Sequence, residues 1–499
     1  MSAWGWYRFT RIAARKGEAP ALVQGQIETS FAALHTAALA WGAALDVAPG
    51  ARVVVSGENS AEFVSAILGI WSRGAIPVLV HADAPSAHLA HATATTGADL
   101  VVTDRDDTGD PGAPVLTLDR PCAVPDYAPR PRASGDAPAS ILFTSGSTGR
   151  PKGVVQSAAN LISGADRVAG HLGYRADDRL LCPIPFAFDY GWGQLLTTIF
   201  RGLPLILPAP RNAFGLCEAL GMHAPTVLAG VPAVFSDLLV GLAPVRDTPR
   251  GSVRLITNTG SRIPRGVYAT LREVFPDAAL SLNYGLTETF RTATLPCELA
   301  PTLPDCVGFP VPGVDVAVLR VDATPCAPDE EGEIVHRGAG AFLGYWGDPE
   351  ATARTLRPDP LWPHLEVSAP RAVFTGDLGH LDTEGRLFIH GRSDRQLKVM
   401  GVRVSPDEVE TLLLAADGVA SVAITSVPHD MLGDKIVANV VLTEAIDQKT
   451  ALKALKRHAR QAMSPYMQPR EWRFLPALPR TPSGKTDYPE LKRRTGVPA

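Results

Sequence analysis

Short apolar runs alternate with amphipathic segments in the first part of this chain. Over residues 51–103, apolar runs of strand length are separated by segments in which apolar residues recur at helical spacing. The predicted strands are 51–56, 75–80 and 98–103, and the predicted helices are 59–71, which opens on a capping-type residue, and 86–96. Strands that alternate with helices predict a mostly parallel sheet covered by helices.

The pattern changes twice further along the chain. An irregular surface crossing over 104–137 precedes a second α/β run at 180–275, and beyond Pro310 shorter strands separated by turns predict a small β-rich subdomain. A compact α+β unit follows, with predicted strands 422–427, 435–442 and 471–474 and predicted helices 406–415 and 449–463. We therefore predict an α/β fold, with a large N-terminal domain of α/β sheets and the β-rich subdomain over 1–393, and a small C-terminal domain over 394–499.

Composition narrows the class of protein. Charged residues make up 20% and hydrophobic residues 45% of 499 residues, which is ordinary for a soluble globular protein, and a net charge of −4 offers no basic field for nucleic acid or an anionic membrane. The N-terminus lacks a signal-peptide core, and no apolar span approaches the ~20 residues of a membrane helix. The six cysteines form no C-x-x-C pair, so reduced thiols are expected. We expect a cytoplasmic protein.

The strongest chemical signal is a loop of small and hydroxylated residues between two apolar runs. It consists of Thr144, Ser145, Gly146, Ser147, Thr148 and Gly149, and Lys152 follows it. Glycines let backbone N–H groups turn toward an anion, hydroxyls donate further hydrogen bonds, and lysine adds a point charge, so the loop is suited to a polyphosphate. A flexible turn is the ordinary alternative. A standard P-loop does not fit, because its glycines would be five apart and a hydroxyl would follow the lysine.

Three further stretches carry candidate chemistry. In residues 281–289, the flat side chains of Asn283 and Tyr284 precede Thr287 and Glu288, whose oxygens suit a hard cation. A strand end followed by a capped helix would have the same sequence pattern, so an ordinary structural role is the alternative. Residues 374–405 contain an obvious turn at 382–385 and could simply be two hairpins. Residues 479–487 place Lys485 in a Ser-Gly turn, where a lysine is ordinarily an exposed tip charge.

Taken in order, the four stretches resemble the motifs of the adenylate-forming enzymes, which include acyl-CoA synthetases, peptide-synthetase adenylation domains and luciferases. The resemblance extends from about residue 51 to Lys485, and the Thr-Ser-Gly-Ser-Thr-Gly-x-Pro-Lys-Gly string is specific. It implies ATP and Mg²⁺ as cofactors. The ATP-binding residues that it implies are Thr144, Ser145, Gly146, Ser147, Thr148, Gly149, Lys152, Gly260, Ser261, Asn283, Tyr284, Gly285, Thr287, Asp377, Arg392 and Lys485.

The resemblance also assigns individual roles. Tyr284 would stack on adenine, Thr287 would meet the α-phosphate, Glu288 would hold Mg²⁺, and Asp377 would bind the ribose hydroxyls with help from Arg392. The catalytic set would be Thr144, Lys152, Glu288 and Lys485. The C-terminal domain would be mobile, turning about a hinge at Asp394, and Gly401 falls where family members bring a hairpin against the thiol-bearing arm of the acceptor.

The reaction implied by the resemblance has two halves. A substrate carboxylate attacks the α-phosphorus of ATP and expels pyrophosphate, and the acyl group then passes to a phosphopantetheine thiol. No carrier segment follows Lys485, so the expected acceptor is CoA or a separate carrier protein. A catalytically idle regulator on the same fold is the alternative class, and the joint presence of Lys152, Glu288, Asp377 and Lys485 argues against it.

The identity of the acid is left open by the sequence. By resemblance its pocket contains Phe188, Asp189, Tyr190, Gly193, Ala229, Thr259, Asn283 and Arg291. Asp189 could bind the ammonium of an amino acid, but Phe-Asp-Tyr-Gly departs from the Phe-Asp-x-Ser that is usual in peptide synthetases. Arg291 could pair with Asp189 or meet a polar group of the substrate, while Gly193 and Ala229 suggest space. We favour a non-amino carboxylic acid and keep an amino acid as the alternative.

Overall fold

The fold was described from a computed structural model of the chain. The described residues are 5–118, 127–131, 134–144, 151–240, 243–260, 263, 265–300, 302–303, 306–362, 370–392, 397–404, 406–429, 431–442, 447–479, 486 and 488–495. Within them, three β-sheets and the helices that pack on them make up the structure. Of the helices in this part of the chain, none combines the length and the apolarity that a bilayer crossing requires.

The helices and strands are numbered in chain order. Those before residue 210 are α1 (Gly5–Lys16), β1 (Pro20–Gln24), β2 (Ile27–Ser30), α2 (Phe31–Ala44), β3 (Arg52–Gly57), α3 (Ala61–Ser72), β4 (Ile76–His81), α4 (Ser86–Thr96), β5 (Leu100–Thr103), β6 (Val115–Thr117), β7 (Pro138–Thr144), β8 (Lys152–Ser157), α5 (Ala158–His171), β9 (Leu180–Leu181), α6 (Asp189–Arg201) and β10 (Leu205–Leu207). Those that follow are α7 (Ala213–His223), β11 (Val227–Gly230), α8 (Pro232–Val240), β12 (Leu255–Asn258), α9 (Arg265–Val274), β13 (Ala279–Tyr284), β14 (Ala293–Leu295), β15 (Cys306–Pro310), β16 (Val314–Leu319), β17 (Gly332–Gly338), β18 (Gly344–Tyr345), α10 (Pro349–Thr355), β19 (Leu356–Pro358), β20 (Arg371–Leu381), β21 (Leu387–Arg392), β22 (Leu397–Val399), β23 (Val402–Val404), α11 (Pro406–Leu414), β24 (Val419–His429), β25 (Gly433–Leu442), α12 (Gln448–Ala462), β26 (Glu471–Phe474) and α13 (Tyr488–Arg494).

A seven-stranded sheet leads into the predicted phosphate loop. Its order is β18-β8-β7-β4-β3-β5-β6, with β3, β4, β5 and β7 paired in parallel and β7 paired antiparallel with β8. The predicted strands and helices of residues 51–103 are confirmed to within about two residues. The hydroxyl of Ser60 accepts a hydrogen bond from the backbone N–H of Phe63 and so caps α3.

A second, 14-stranded sheet joins the other α/β run to the β-rich segment. Its order is β16-β17-β20-β21-β15-β14-β13-β12-β11-β9-β10-β1-β2, with β19 paired to β20. The neighbouring strands from β9 to β13 in this order pair in parallel. On the other side of β13, the pairs β13–β14, β14–β15 and β15–β21 are antiparallel. The β-rich segment beyond Pro310 therefore continues this sheet and does not form a separate one, because β15 pairs with both β14 and β21.

Two N-terminal helices, α1 and α2, pack on this α/β body and were not predicted from the sequence. Phe9 and Phe31 are fully buried. Helices α2 and α3 approach closely, since a Cβ on Gly69 would lie only 2.4 Å from the Cβ of Trp41. Glycine is therefore required at this helix contact.

The C-terminal unit has a sheet and a core of its own. Strands β23, β22, β25 and β24 are neighbours in that order, β26 pairs with β25, and α11 and α12 cover the sheet. Val404, Val409, Leu413 and Ile436 are fully buried in its core. The predicted strands and helices of this unit are confirmed. The boundary at residue 394 lies outside the described residues and stays a prediction.

Candidate active site

A cavity of ≈560 Å³ lies where strand ends of both large sheets meet the C-terminal unit. A volume of this size suits a small-molecule site. The N-terminal part contributes Thr144, Phe188, Asp189, Tyr190, Thr259, Gly260, Gly285 and Thr287 to its lining. The C-terminal part contributes Lys398, Met400, Gly401, Glu408 and Tyr466. The cavity thus brings together residues from the phosphate-loop motif, the second motif and the predicted acid pocket.

Strands β7 and β8 hold the two ends of the predicted phosphate loop side by side. Thr144, the last residue of β7, is the register partner of Lys152, the first residue of β8. The ammonium of Lys152 lies 5.1 Å from the ring centre of Tyr345, within range of a cation–π contact. The loop residues Ser145, Gly146, Ser147, Thr148 and Gly149 lie outside the described residues.

Glu288 is buried beside these two strands. Its Oε1 accepts a hydrogen bond of 2.8 Å from the hydroxyl of Tyr345, whereas its Oε2 is buried without a hydrogen-bond partner among the described residues. The amide of Gln156 in β8 donates to the carbonyl of Thr287 at 2.8 Å, which ties the second motif to the phosphate-loop sheet. A buried carboxylate oxygen without a partner is costly, and a bound cation would satisfy it.

Tyr345 is a site residue that sequence reasoning missed. It follows Gly344, whose φ of 134° few other residues adopt and where a Cβ would lie 2.7 Å from Thr352. The signal was the Phe-Leu-Gly-Tyr string at 342–345, in which glycine turns the chain immediately before an aromatic hydroxyl.

Tyr284 and Asp377 meet although they lie 93 residues apart in the chain. The Tyr284 hydroxyl donates to Asp377 Oδ2 at 2.5 Å, and both side chains are buried. Strand β13 carries Tyr284 and β20 carries Asp377, so the continuous 14-stranded sheet positions both. Asp377 is also the register partner of Arg392 in β21. The side chain of Arg392 lies outside the described residues.

The side chain of Asn283 is hydrogen-bonded to other residues of the protein and does not line the cavity. Its side-chain N–H groups donate to Thr257 Oγ1 at 3.1 Å and to the Asn258 carbonyl at 3.0 Å. Thr259 donates to the Asn283 carbonyl and lines the cavity together with Gly260. Asn283 therefore braces strand β13 against β12 in this arrangement. The predicted ATP-binding residue Ser261 lies outside the described residues.

The predicted acid-pocket residues divide into two layers. Phe188, Asp189 and Tyr190 line the cavity at the start of α6, and the Tyr190 hydroxyl donates to the Thr257 carbonyl at 2.7 Å. Gly193, Ala229 and Arg291 do not line it. A Cβ on Gly193 would lie 3.7 Å from the ring of Phe290. The space that we expected beside Gly193 is therefore bounded by an aromatic ring.

The C-terminal unit enters the site through the hairpin of β22 and β23. Val399 pairs with Val402, so Met400 and Gly401 form a two-residue turn, with φ of 54° and 81°. A Cβ on Gly401 would lie 3.0 Å from the Cβ of Val231. On the other side, a Cβ on Gly260 would lie 2.7 Å from the Gly401 carbonyl oxygen. The turn therefore packs by its backbone. Asp394 and Lys485, the predicted hinge and catalytic lysine, lie outside the described residues.

Glu408 supplies a buried carboxyl at the same interface. It is 4% exposed in the docked arrangement, and its Oε1 lies 3.6 Å from His88 Nε2 of α4. Burial raises the pKa of Glu408 to about 7 and lowers the pKa of His88. Tyr466, whose pKa burial raises to about 12, lines the cavity beside it.

Glu408 is predicted to make the docking of the C-terminal unit weaken as pH rises. The docked state holds a proton on Glu408 up to about pH 7, whereas an exposed glutamate loses it near its ordinary pKa of 4.5. The contribution of Glu408 to docking is then fully present below pH 4.5 and is lost as pH rises to about 7. The lowered pKa of His88 acts in the opposite sense, because docking disfavours the protonated imidazole below its ordinary pKa of 6.5.

Energy transfer between dyes on the two units, measured in His88→Gln to remove that opposing effect, should report the loss between roughly pH 5 and pH 8. Adding Glu408→Gln should flatten the profile, and adding Asp417→Asn, an exposed control on the same unit, should not. A profile of His88→Gln that is already flat would contradict the role of Glu408.

Comparison with known proteins identifies the family. The family described as AMP-binding enzyme matches residues 9–346, and the AMP-binding enzyme C-terminal domain matches residues 408–485. A 2-succinylbenzoate–CoA ligase of Geobacillus kaustophilus is 29% identical over 95% of this chain and 94% of its own length. A sulfoacetate–CoA ligase of Cupriavidus necator is 30% identical over 76% of this chain and 70% of its own length.

A solved structure has the same architecture. The amide bond synthetase McbA of Marinactinospora thermotolerans superposes with a TM-score of 0.87, covers 98% of this chain and 99% of its own, and is 25% identical. The chain belongs to the AMP-binding enzymes, the adenylate-forming superfamily of AMP-forming acid–thiol ligases that its motifs resemble.

Proposed function

We propose that this protein converts a non-amino carboxylic acid into an acyl-adenylate, with release of pyrophosphate, and then passes the acyl group to a phosphopantetheine thiol. One observation carries the proposal. A single cavity connects the phosphate-side residues Thr144 and Thr287 with the acid-side residue Asp189 and with the Gly401 turn of the C-terminal unit. Nucleotide, acid and acceptor can therefore meet in one place.

The first half-reaction needs positioning and charge neutralisation. A carboxylate is already ionised at neutral pH, so its attack on the α-phosphorus requires no general base. Thr144 and Lys152 would bind the phosphates that become pyrophosphate, and Thr287 would bind the α-phosphate. Tyr284 and Asp377, joined by their hydrogen bond, would present one surface to adenine and ribose. Removing one such preorganised donor typically costs ~3 kcal/mol in the transition state.

Glu288 is the proposed magnesium ligand. Its buried Oε2 has no partner among the described residues, while Tyr345 orients the other oxygen. Within the described part of the chain, no group of three or more His, Cys, Asp and Glu side chains is placed to hold a metal. Mg²⁺ fits this arrangement, since it commonly takes one or two carboxylates and completes its shell with phosphates and water. When bound, it would neutralise phosphate charge.

The charge of the acid pocket favours a substrate without an ammonium group. Asp189 lines the cavity and could bind an ammonium, as in the amino-acid alternative. Arg291, however, lies buried behind the same wall, with its guanidinium 6.0 Å from the ring centre of Tyr190. A second cation in the pocket would be repelled by this charge in a medium of low dielectric constant.

The acceptor is proposed to be CoA or the phosphopantetheine of a carrier protein. Met400, Gly401 and Tyr466 of the C-terminal unit line the cavity opposite Asp189, so a slender thiol arm would reach the acyl group between the two units. The relatives named above are CoA ligases, which favours CoA. The amide bond synthetase with the same fold suggests including an amine in the assay.

The decisive experiment is ATP–pyrophosphate exchange with a panel of aliphatic, aryl and amino acids. We expect exchange with at least one non-amino acid, AMP and not ADP as product, and acyl transfer when CoA or a loaded carrier protein is added. Glu288→Gln should reduce the Mg²⁺-dependent exchange by about a hundredfold, and Glu298→Gln, an exposed control, should leave it unchanged. Exchange confined to amino acids would favour the alternative, and ADP as product would refute adenylyl transfer.

A further inference from the structure

Arg291 is a buried cation, and two of its nitrogen donors have no hydrogen-bond partner among the described residues. Its side chain is 4% exposed, and the two nitrogens are Nε and Nη1. Burial lowers the pKa of the guanidinium, yet an arginine stays charged in proteins. Buried arginines are normally paired with a carboxylate or hydrogen-bonded throughout.

No anion among the described residues accepts a hydrogen bond from Nε or Nη1 of Arg291. The hydroxyls of Tyr174 and Tyr190 stay protonated, because burial raises the pKa of both. Burial, assisted by the charge of Arg291, lowers the pKa of His171 to about 4, so this ring is neutral at physiological pH. Asp189 acts on Arg291 through its charge, but it accepts no hydrogen bond from Nε or Nη1 of the guanidinium.

Arg291 lies at the end of the cavity where we expect the acid substrate to bind. Tyr190, against whose ring the guanidinium lies, is part of the cavity wall. Gly285 belongs to the same wall and touches the Arg291 backbone, since a Cβ on Gly285 would lie 3.0 Å from the Arg291 Cα. A ligand group that passes Tyr190 therefore meets the guanidinium next.

Phe290, the residue before Arg291, packs between two helices. It has a φ of 63°, an uncommon conformation for a non-glycine residue, and its ring lies against Gly193 and Gly164 on helices α6 and α5. A Cβ on Gly164 would lie 2.8 Å from this ring, so the missing side chain leaves the space that the ring fills. The close packing of Phe290 fixes the backbone that leads into Arg291.

We propose that Arg291 binds a second anionic group, a carboxylate or a sulfonate, at the far end of the acid substrate. The inference rests on the proposed function and narrows its substrate class to acids with two anionic groups. The reacting carboxylate would face the nucleotide beside Thr287, and the second group would receive the charge-assisted hydrogen bonds that Nε and Nη1 do not make within the protein.

Matched pairs of acids test the proposal. Pyrophosphate exchange by the full-length protein would be compared for pentanoate and glutarate, hexanoate and adipate, octanoate and suberate, and 3-phenylpropanoate and 3-(4-sulfophenyl)propanoate. We expect the dianionic member of at least one pair to have a kcat/KM at least about tenfold higher, as a charge-assisted contact should give. Arg291→Met should bring this ratio close to one, and Arg291→Lys should restore part of it.

Two measurements keep the result interpretable. Arg201→Gln removes an exposed charge from the far end of α6 and should preserve the preference for the dianion. Binding of the four dianions, measured by calorimetry with a non-hydrolysable ATP analogue, should be weaker in Arg291→Met than in the wild type while nucleotide binding persists. Exchange confined to monoacids, or an unchanged ratio in Arg291→Met, would overturn the role of Arg291 and leave adenylation intact. Absence of exchange with every acid would refute the proposed function, and the calorimetric comparison would then decide the role of Arg291 alone.

Discussion

Lys485→Ala is expected to reduce acyl-adenylate formation about a hundredfold or more, because it removes a cation that neutralises developing phosphate charge. Transfer from a chemically synthesised acyl-adenylate to the thiol should persist, since the role proposed for the lysine is confined to the first half-reaction. Pyrophosphate exchange would measure the first step, and thioester formation from the synthetic adenylate would measure the second.

A surface lysine on the same unit provides the control for that experiment. Lys456 is exposed on helix α12, so Lys456→Ala should leave both steps unchanged. Near-normal pyrophosphate exchange in Lys485→Ala would refute the proposed role of this lysine. Loss of both half-reactions together would indicate damage to the C-terminal unit.

Gly401→Ala is expected to impair acyl transfer by about tenfold or more while adenylation continues. The added methyl would lie 3.0 Å from Val231, and the φ of 81° is strained for any residue with a Cβ. Both effects oppose the docked position of the β22–β23 turn. Single-turnover measurement of adenylate formation and of thioester formation would separate the two steps.

Gly385 gives a matched control for backbone strain. Its φ is 77°, close to that of Gly401, but a Cβ there would meet nothing within 4 Å. Gly385→Ala should lower the free energy of unfolding by about 1 kcal/mol through strain alone and leave both half-reactions intact. An equal loss of adenylation and transfer in Gly401→Ala would show that the turn is not specific to the second step.

The local pattern of apolar and polar residues predicted individual strands and helices better than it predicted how they pair and pack. Strand β26 and helix α4 were predicted residue for residue, because Pro85 and Gly97 bound α4 and prolines flank β26 on both sides. The continuity of the 14-stranded sheet was not predictable, since it depends on the pairing of β15 with β21, strands far apart in the chain. Helix α2 was missed because nearly all of it is apolar or small and gives no one-sided pattern, whereas α1 has Trp6, Phe9, Ile12 and Ala13 at helical spacing and could have been predicted.

In the candidate site, too, the sequence predicted individual residues but not the contacts between them. The motifs pointed to Thr144, Glu288 and Asp377, but they could not show that the Tyr284 hydroxyl would be bonded to Asp377 or that Tyr345 would orient Glu288. Those contacts join strands that only the folded chain brings together. The lack of hydrogen-bond partners at Nε and Nη1 of Arg291 is also invisible in sequence, because it depends on which described residues surround the side chain in three dimensions.

The backbone packing of the Met400–Gly401 turn also limits how this enzyme could change its acceptor. A wall made of side chains can be reshaped one substitution at a time, but a wall made of two glycines and a carbonyl oxygen tolerates almost no substitution. Evolution or engineering would then have to work on the neighbouring lining, where Tyr466 and Glu408 offer replaceable groups. A library confined to those two positions should yield altered acceptor preference at intact adenylation, whereas one that includes Gly260 and Gly401 should yield mostly proteins impaired in acyl transfer.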